Sequence, residues 1–369
     1  MDAFAPADDL GPAKVLHLNV PGVGLRAAVV VDNTAAGPSI GGIRMAPDVS
    51  LAECARLARA MTLKNAAAGL AHGGGKAVIF ADPKMAKPQK ENLIRAFACA
   101  IRNLDDYIPG PDMGTDETCM AWIKDEIGRV AGLPRELGGI PIDEIGATGW
   151  GLSHAVEIAA PYSGFVLDGA RVAVQGYGAV GKHAVRFLAK KGAVLVAASD
   201  SRGTVADDKG LDLEGLAALK EEGRSVVDYP KGRKLDRDGI IDIECEIWIP
   251  AARPDVIRDD NVARLKTKLV AQGANIPLTP GAEKYLHERG VICLPDFIAN
   301  AGGVICAAME YHGASEAAAL ATVAEKLRAN ASEVLTESKG RKILPREAAM
   351  NLVLRRVKKA MSLRRWGLF

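Results

Sequence analysis

The chain has 369 residues, more than one core usually supports, so two domains are expected. Apolar residues make up 49% and charged residues 25%, a globular balance that excludes a disordered chain. A formal net charge of +2 supplies no global field to recruit nucleic acid or a membrane surface.

In chain order, Val15–Val20 and Leu25–Asp32 read as strands joined by the turn Pro21-Gly22-Val23-Gly24. A loop over Asn33–Ala46 contains Gly37-Pro38-Ser39-Ile40-Gly41-Gly42-Ile43-Arg44. Ser50, with Glu53 three residues on, opens a helix whose apolar stripe runs through Cys54, Leu57, Ala58 and Met61. Gly73-Gly74-Gly75 leads into a strand over Lys76–Ala81, and helices are expected over 88–104 and 115–130. This first part is mixed α and β without a parallel repeat, and the glycine-rich stretch Leu137–Gly149 reads as the crossing between domains.

From Thr148 the rhythm changes to short apolar strands alternating with helices, the pattern of a parallel, doubly wound sheet. A helix over 148–160 precedes a strand Arg171–Gln175, a helix to Lys191 and a strand Ala193–Ser199. Ile247–Ala251, Leu269–Gly273 and Val291–Pro295 are further strands, with a helix over 279–289. The expected domains are 1–147 and 148–330, with a basic helical tail over 331–369 packing back on the first. Cys54, Cys99, Cys119, Cys245, Cys293 and Cys306 lack CxxC spacing and read as free thiols of a reducing compartment. The histidines lack metal-ligand spacing, and no metal is expected. The acidic N-terminus is not a signal peptide, and no apolar run nears the ~20 residues of a membrane span, so a cytoplasmic protein is expected.

The turn Gly176-Tyr177-Gly178-Ala179-Val180-Gly181 follows a strand and opens a helix, as a dinucleotide-binding turn does. Its first glycine permits the tight turn, the second admits the pyrophosphate, and the third lets helix and strand approach. The next strand ends at Asp200, about twenty positions on, where a carboxylate can accept from the adenosine ribose hydroxyls. The second domain is therefore read as a Rossmann-type NAD(P)-binding domain. Asp200 favours NAD by repelling a 2′-phosphate, whereas Arg202 could bind one, so NADP stays open.

Three residues of the first part suit proton chemistry. Lys64 lies in register with the apolar stripe, Lys76 follows three glycines into an apolar strand, and Asp112 sits in the stiff loop Pro109-Gly110-Pro111-Asp112-Met113-Gly114. Each also fits a plain role: a helix-end lysine, a strand-edge charge, a turn acid. His72, beside the glycines, fits a substrate contact and a structural histidine equally.

The sequence resembles the glutamate/leucine/phenylalanine/valine dehydrogenase family. The resemblance rests on Gly41-Gly42-Ile43-Arg44-Met45, Met61-Thr62-Leu63-Lys64-Asn65, Gly73-Gly74-Gly75-Lys76, Pro111-Asp112-Met113-Gly114-Thr115, Ala147-Thr148-Gly149, the cofactor turn, and Ile298-Ala299-Asn300-Ala301-Gly302-Gly303-Val304. It implies an N-terminal substrate and oligomerisation domain, a C-terminal dinucleotide domain, a cleft that closes over substrate, and a homo-oligomer. The residue matching Lys64 binds the α-carboxylate, and Gly41 and Gly42 let backbone approach it. The one matching Lys76 is the catalytic lysine, beside a water, and the one matching Asp112 relays protons to and from the amino group. Thr148 and Asn300 fall near the nicotinamide, and Ser201 and Asn275 on the cofactor side.

Glutamate-specific members carry a lysine where this chain has Ile40, and a serine where it has Ala307. A γ-carboxylate against these two groups would lie unpaired. A leucine, valine, isoleucine or phenylalanine substrate is therefore expected, unless Arg44 supplies the missing cation. Leu137-Gly138-Gly139-Ile140-Pro141 and Asp200-Ser201-Arg202-Gly203 look more like glutamate-type members, so a glutamate dehydrogenase with an altered pocket is the alternative. A cofactor-binding regulatory protein without catalysis is the alternative of another class, against which Lys64, Lys76 and Asp112 stand intact.

Overall fold

The computed structural model describes residues 7–364, and among them the chain forms two compact units. One takes in the residues up to Pro141, Val304–Ala319 and the stretch from Leu352; the other takes in Ile142–Gly303 and Leu320–Asn351. The division expected at 147/148, with a tail returning from 331, is displaced on both counts. Residues 304–319 join the first unit because they carry Glu310, whose carboxylate accepts backbone N–H groups there. The chain up to Asn351 stays with the second unit because Arg346 is tied to its acids.

In the first unit, β1 (Lys14–Val20) and β2 (Leu25–Asn33) form an antiparallel hairpin. β3 (Ser39–Ala46) lies between β4 (Gly73–Phe80) and β5 (Tyr107–Pro111), parallel to both, and β4 runs antiparallel to β2. The stretch read as a loop over 33–46 thus contains a central strand, and the first part does hold parallel pairing. Glycines conceal β3 because they lack strand propensity, yet close approach requires them. A Cβ on Gly41 would stand 1.7 Å from the Gly75 carbonyl oxygen.

Alternation along β2 puts Ala28 and Val30 under α1 (Leu51–Ala67), which buries Cys54 and Ala58 against them. Ala27, Val29 and Val31 face α2 (Lys87–Ala100) and α3 (Glu117–Ile127), with Phe97, Met120 and Ile123 in the core. The Ser50 side chain caps α1 by accepting from Glu53 N–H, and Asp116 caps α3 in the same way.

The second unit opens with α4 (Ile142–Ile145) and α5 (Ala147–Tyr162) where a glycine-rich crossing was expected. β6 (Arg171–Gln175), α6 (Ala179–Ala189), β7 (Val194–Ser199), β8 (Thr204–Ala206), α7 (Leu213–Glu221), β9 (Arg233–Leu235), β10 (Ile247–Pro250), β11 (Leu269–Ala271), α8 (Pro280–Glu288) and β12 (Ile292–Leu294) follow. α9 (Asp296–Ala299), α10 (Gly302–Tyr311), α11 (Glu316–Arg341) and α12 (Pro345–Leu363) complete the order. The sheet runs β12-β11-β10-β6-β7-β8-β9, parallel from β12 to β7 and antiparallel through β8 and β9. The chain leaves β6 toward β7 and later places β10 on its other side. The strand order therefore reverses at β6, the switch point where such sheets bind ligands beyond their carboxyl ends.

Candidate active site and dinucleotide cradle

In the first unit, three neighbouring strands gather the candidate proton-transfer groups. Lys76 projects from β4 and is almost wholly buried. Asp112 follows the last residue of β5, and its Oδ2 pairs with the Lys76 ammonium and, at 3.3 Å, with the Arg44 guanidinium on β3. Gly42 makes room for the pair: a Cβ there would lie 2.7 Å from Asp112 Cβ and 3.2 Å from Lys76 Nζ. The loop after Asp112 is pinned to β3, since Thr115 Oγ1 donates to the Ile43 carbonyl at 2.8 Å and Met45 N–H donates to Met113. Burial by itself raises the Asp112 carboxyl. The Lys76 charge and hydrogen bond, a backbone bond and Arg44 outweigh it and hold the group below its ordinary value.

Lys64 stands half-buried in the last turn of α1. That end of the helix is docked by Asn65, which donates to the Gly73 carbonyl at 2.7 Å, and by Thr62, which donates to Asp32. Ile40 and Ala307, joined in sequence only by the substrate argument, come together in one apolar cluster with Ile108, Ala131 and Tyr311. The sequence reading missed the last three, because β5 and the end of α10 join Ile40 only through the tertiary fold. Arg44, considered as a substitute cation for a γ-carboxylate, is taken by Glu53 at 2.5 Å and by Asp112. Burial pushes the Cys306 thiol up to about 12, so it stays protonated.

In the second unit, the three turn glycines differ in what surrounds them. Gly176 has φ +99°, and a Cβ there would strike Ala252 at 2.6 Å. A Cβ on Gly181 would come within 2.0 Å of the Gly176 carbonyl oxygen, whereas Gly178 faces open space. Gly176 and Tyr177 N–H groups donate to Ser199 O, fixing the turn to the end of β7. Gly178 caps α6 without a side-chain hydrogen bond, so with Ala179 and Val180 it presents N–H groups to an anion. This cradle fits a pyrophosphate.

Asn300 stands beside the end of β11. Its Nδ2 donates to the Gly273 and Ala274 carbonyls and, at 3.0 Å, to Asn275 Oδ1, while its buried Oδ1 has no partner. An orphaned buried acceptor of this kind suits a carboxamide N–H donor. Thr148, in the first turn of α5, lies against Gly302 and Gly303, just beyond Asn300.

Asp200 directly follows β7 as expected, yet it is already engaged. It accepts from Ser225 Oγ at 2.7 Å, Val226 N–H at 3.0 Å, Arg202 N–H at 3.0 Å and Lys220 Nζ at 3.1 Å. Four donors fill the positions a carboxylate offers. Burial raises its pKa, and these bonds more than reverse the effect. Ser201 and Arg202 are exposed, and Arg202 pairs with Asp228. Trp150 packs inside the second unit on His154 and Phe187 and donates to the Leu320 carbonyl. Among the described residues no His, Cys, Asp or Glu cluster could hold a metal, and no helix is long and apolar enough to cross a membrane.

An open parallel sheet with this glycine turn at its switch point places the chain among the dinucleotide-binding α/β proteins. Residues 138–365 match the Glutamate/Leucine/Phenylalanine/Valine dehydrogenase family and residues 12–129 match the dimerisation domain of Glu/Leu/Phe/Val dehydrogenases. The chain belongs to this family of NAD(P)-dependent amino-acid dehydrogenases. It is 39% identical to a glutamate dehydrogenase of Aeropyrum pernix over 90% of this chain and 85% of that one. It is 36% identical to an NADP-specific glutamate dehydrogenase of Saccharolobus shibatae, over 90% and 83%. The Leu-bound hetero-hexameric glutamate dehydrogenase of Thermus thermophilus superposes with a TM-score of 0.82 at 30% identity, covering 97% of this chain and 91% of that one. An L-tryptophan dehydrogenase of Nostoc punctiforme shares the fold, with a TM-score of 0.77 over 95% of this chain and 97% of that one, at 24% identity.

Proposed function

We propose that the chain catalyses the reversible oxidative deamination of an L-amino acid to the 2-oxo acid and ammonia. The observation that carries this reading is the pair of buried Lys76 and half-buried Asp112 seated over Gly42. Lys64 holds the substrate α-carboxylate, and Gly41 and Gly42 give it access to backbone. Asp112 is kept deprotonated by its cationic neighbours and takes a proton from the amino nitrogen, which must expose a lone pair before the α-carbon can lose hydride. Lys76 moves a proton to and from the water that adds to the resulting iminium carbon. NAD or NADP, when bound, accepts the hydride. The turn from Gly176 through Gly181 and the start of α6 hold its pyrophosphate, and Thr148, Asn275 and Asn300 its nicotinamide end. Asp200 and Ser201 face its adenosine ribose, and because Lys220 neutralises Asp200, a 2′-phosphate is tolerated there.

Two readings of the substrate side chain have specific support. The names of the relatives favour glutamate. The apolar surround of Ile40, Ile108, Ala131, Ala307 and Tyr311 favours leucine, valine, isoleucine or phenylalanine, each gaining roughly 1.5–3 kcal/mol on burial. The engagement of Arg44 by two carboxylates removes the substitute cation that glutamate would need. A panel of these amino acids, followed by absorbance of the reduced cofactor, separates the readings: glutamate turnover alone overturns the apolar one. Cofactor binding without turnover of any amino acid supports the regulatory protein instead. Self-association through the first unit is proposed from its match to a dimerisation domain.

A further inference from the structure

Three consecutive residues at the end of α10 and just beyond it tie down different parts of the apolar cluster. Glu310 is 8% exposed, and its carboxylate is held by three backbone donors: Oε1 accepts from Gly132 N–H at 2.8 Å and Leu133 N–H at 2.9 Å, and Oε2 from Ile140 N–H at 2.9 Å. A buried carboxylate persists only when so bonded. The bonds fix the loop that carries Ala131, whose own N–H donates to Pro109 on β5 at 2.9 Å. Gly132 has φ +81°, and a Cβ there would strike Pro111 Cδ at 2.4 Å, so this loop has no slack.

Tyr311 is half-buried and, like Ala307, packs against the cluster of Ile40, Ile108 and Ala131. Beside it, His312 Nε2 lies 3.0 Å from His72 Nε2, and His72 Nδ1 lies 3.0 Å from the carbonyl of Pro38, two residues before Ile40. His72 also meets the Tyr311 ring edge-on at 5.9 Å. The Pro38 carbonyl can only accept, so His72 Nδ1 donates and His312 donates to His72 Nε2. The ring of Tyr311 is therefore held from both sides, by Glu310 through the loop of Ala131 and by His312 through the segment of Ile40.

We propose that Tyr311 determines the size of the substrate side chain accepted, and that Glu310 and His312 are positioning residues that hold it against Ile40 and Ala131. This rests on the amino-acid dehydrogenase reading. A ring wedged into an otherwise aliphatic wall sets the depth of the pocket. A change of one methylene in such a pocket alters kcat/KM by roughly 10- to 200-fold.

The test compares kcat/KM for alanine, valine, leucine, phenylalanine and glutamate in the full chain and in Tyr311→Phe, Tyr311→Ala, Tyr311→Leu, Glu310→Gln and His312→Gln. Tyr311→Phe is expected to keep the wild-type ratios, because it keeps the ring. Tyr311→Ala, or Tyr311→Leu should the former fail to fold, is expected to raise the phenylalanine-to-valine ratio tenfold or more. Glu310→Gln points an amide N–H at backbone donors, and it is expected to flatten the ratios through KM rather than kcat. His312→Gln should do the same to a smaller extent. Equal scaling of all substrates in the Tyr311 variants overturns the proposal. A wild type that turns over none of them overturns the dehydrogenase reading instead. The order of amino-acid affinities by calorimetry then decides this one: an order unchanged by Tyr311→Ala, or no binding, overturns it.

Discussion

Asp112 Oδ2 accepts from Lys76 on β4 and from Arg44 on β3, and both contacts depend on the missing side chain of Gly42. One carboxylate is shared by two cations, and the second cation is in turn neutralised by Glu53. Asp112 is thereby held below its ordinary carboxyl value while Lys76 stays nearly out of water.

Lys76→Ala and Asp112→Asn are each expected to lower kcat by about 10²- to 10⁴-fold, the usual range for a lost acid–base group. Reduced-cofactor binding, followed by fluorescence, should stay near the wild-type level, since the glycine turn belongs to the other unit. Asp112 also contributes to acid stability. Its folded pKa lies below the ordinary aspartate value of 3.8, so its contribution is full above that value and lost as pH falls through the folded pKa. Asp112→Asn should remove that part of the acid limb in a pH series of thermal melts.

The turn glycines separate folding from binding. Gly181→Ala drives a methyl into the Gly176 carbonyl and should lower Tm. Gly178→Ala meets only open space, so Tm should move little while the Kd for reduced cofactor rises at least tenfold, because the methyl enters the pyrophosphate's place. Equal effects of the two substitutions on Tm would contradict this division.

Asp200→Ala is expected to shift the NADH-to-NADPH preference toward NADPH by about tenfold, equivalent to 1.4 kcal/mol. Removing the carboxylate leaves Lys220 as uncompensated charge near the expected site of a 2′-phosphate, while Arg202 keeps its pair with Asp228. Paired Kd measurements check it, and a shift toward NADH would refute it.

Arg346 bonds Glu283 at 2.7 and 2.8 Å, Asp296 at 3.0 Å and Gln272 at 3.0 Å. Asp296 in turn holds the N–H of Ile276, whose φ of +44° is strained for a β-branched residue. Arg346→Met leaves two buried carboxylates unpaired and should destabilise by about 3–5 kcal/mol, with Arg346→Lys intermediate. Denaturant melts measure the cost, and weakened cofactor binding in Arg346→Lys would report loosening of the loop that carries Asn275.

His183 is buried against Gly146, and burial, with Arg186 and Lys182, pushes its pKa down to about 4. The unfolded chain binds this proton first as pH falls from 6.5, so stability should decline between there and about 4. His183→Leu should flatten that window in pH-dependent melts; an unchanged slope would assign the loss elsewhere.

The local chemistry of this chain was legible from its sequence because it is written in contiguous residues. The strand–turn–helix around Gly176–Gly181, the Ser50 cap and the acid after β7 are each set by neighbours a few positions apart, where steric and hydrogen-bonding rules act directly. The sheet-forming role of Gly41 and Gly42 was hidden, since glycine disfavours a strand until a second backbone must come close. The tertiary structure alone decided what long sequence separation conceals. It joined Ile40 to Ala307 and Tyr311, spent Arg44 on Glu53 and Asp112, filled Asp200 with donors from 220–226, and divided the last helices between the two units. Each of these follows from buried polar groups finding partners and apolar groups finding volume, and neither requirement can be evaluated before the chain has closed on itself.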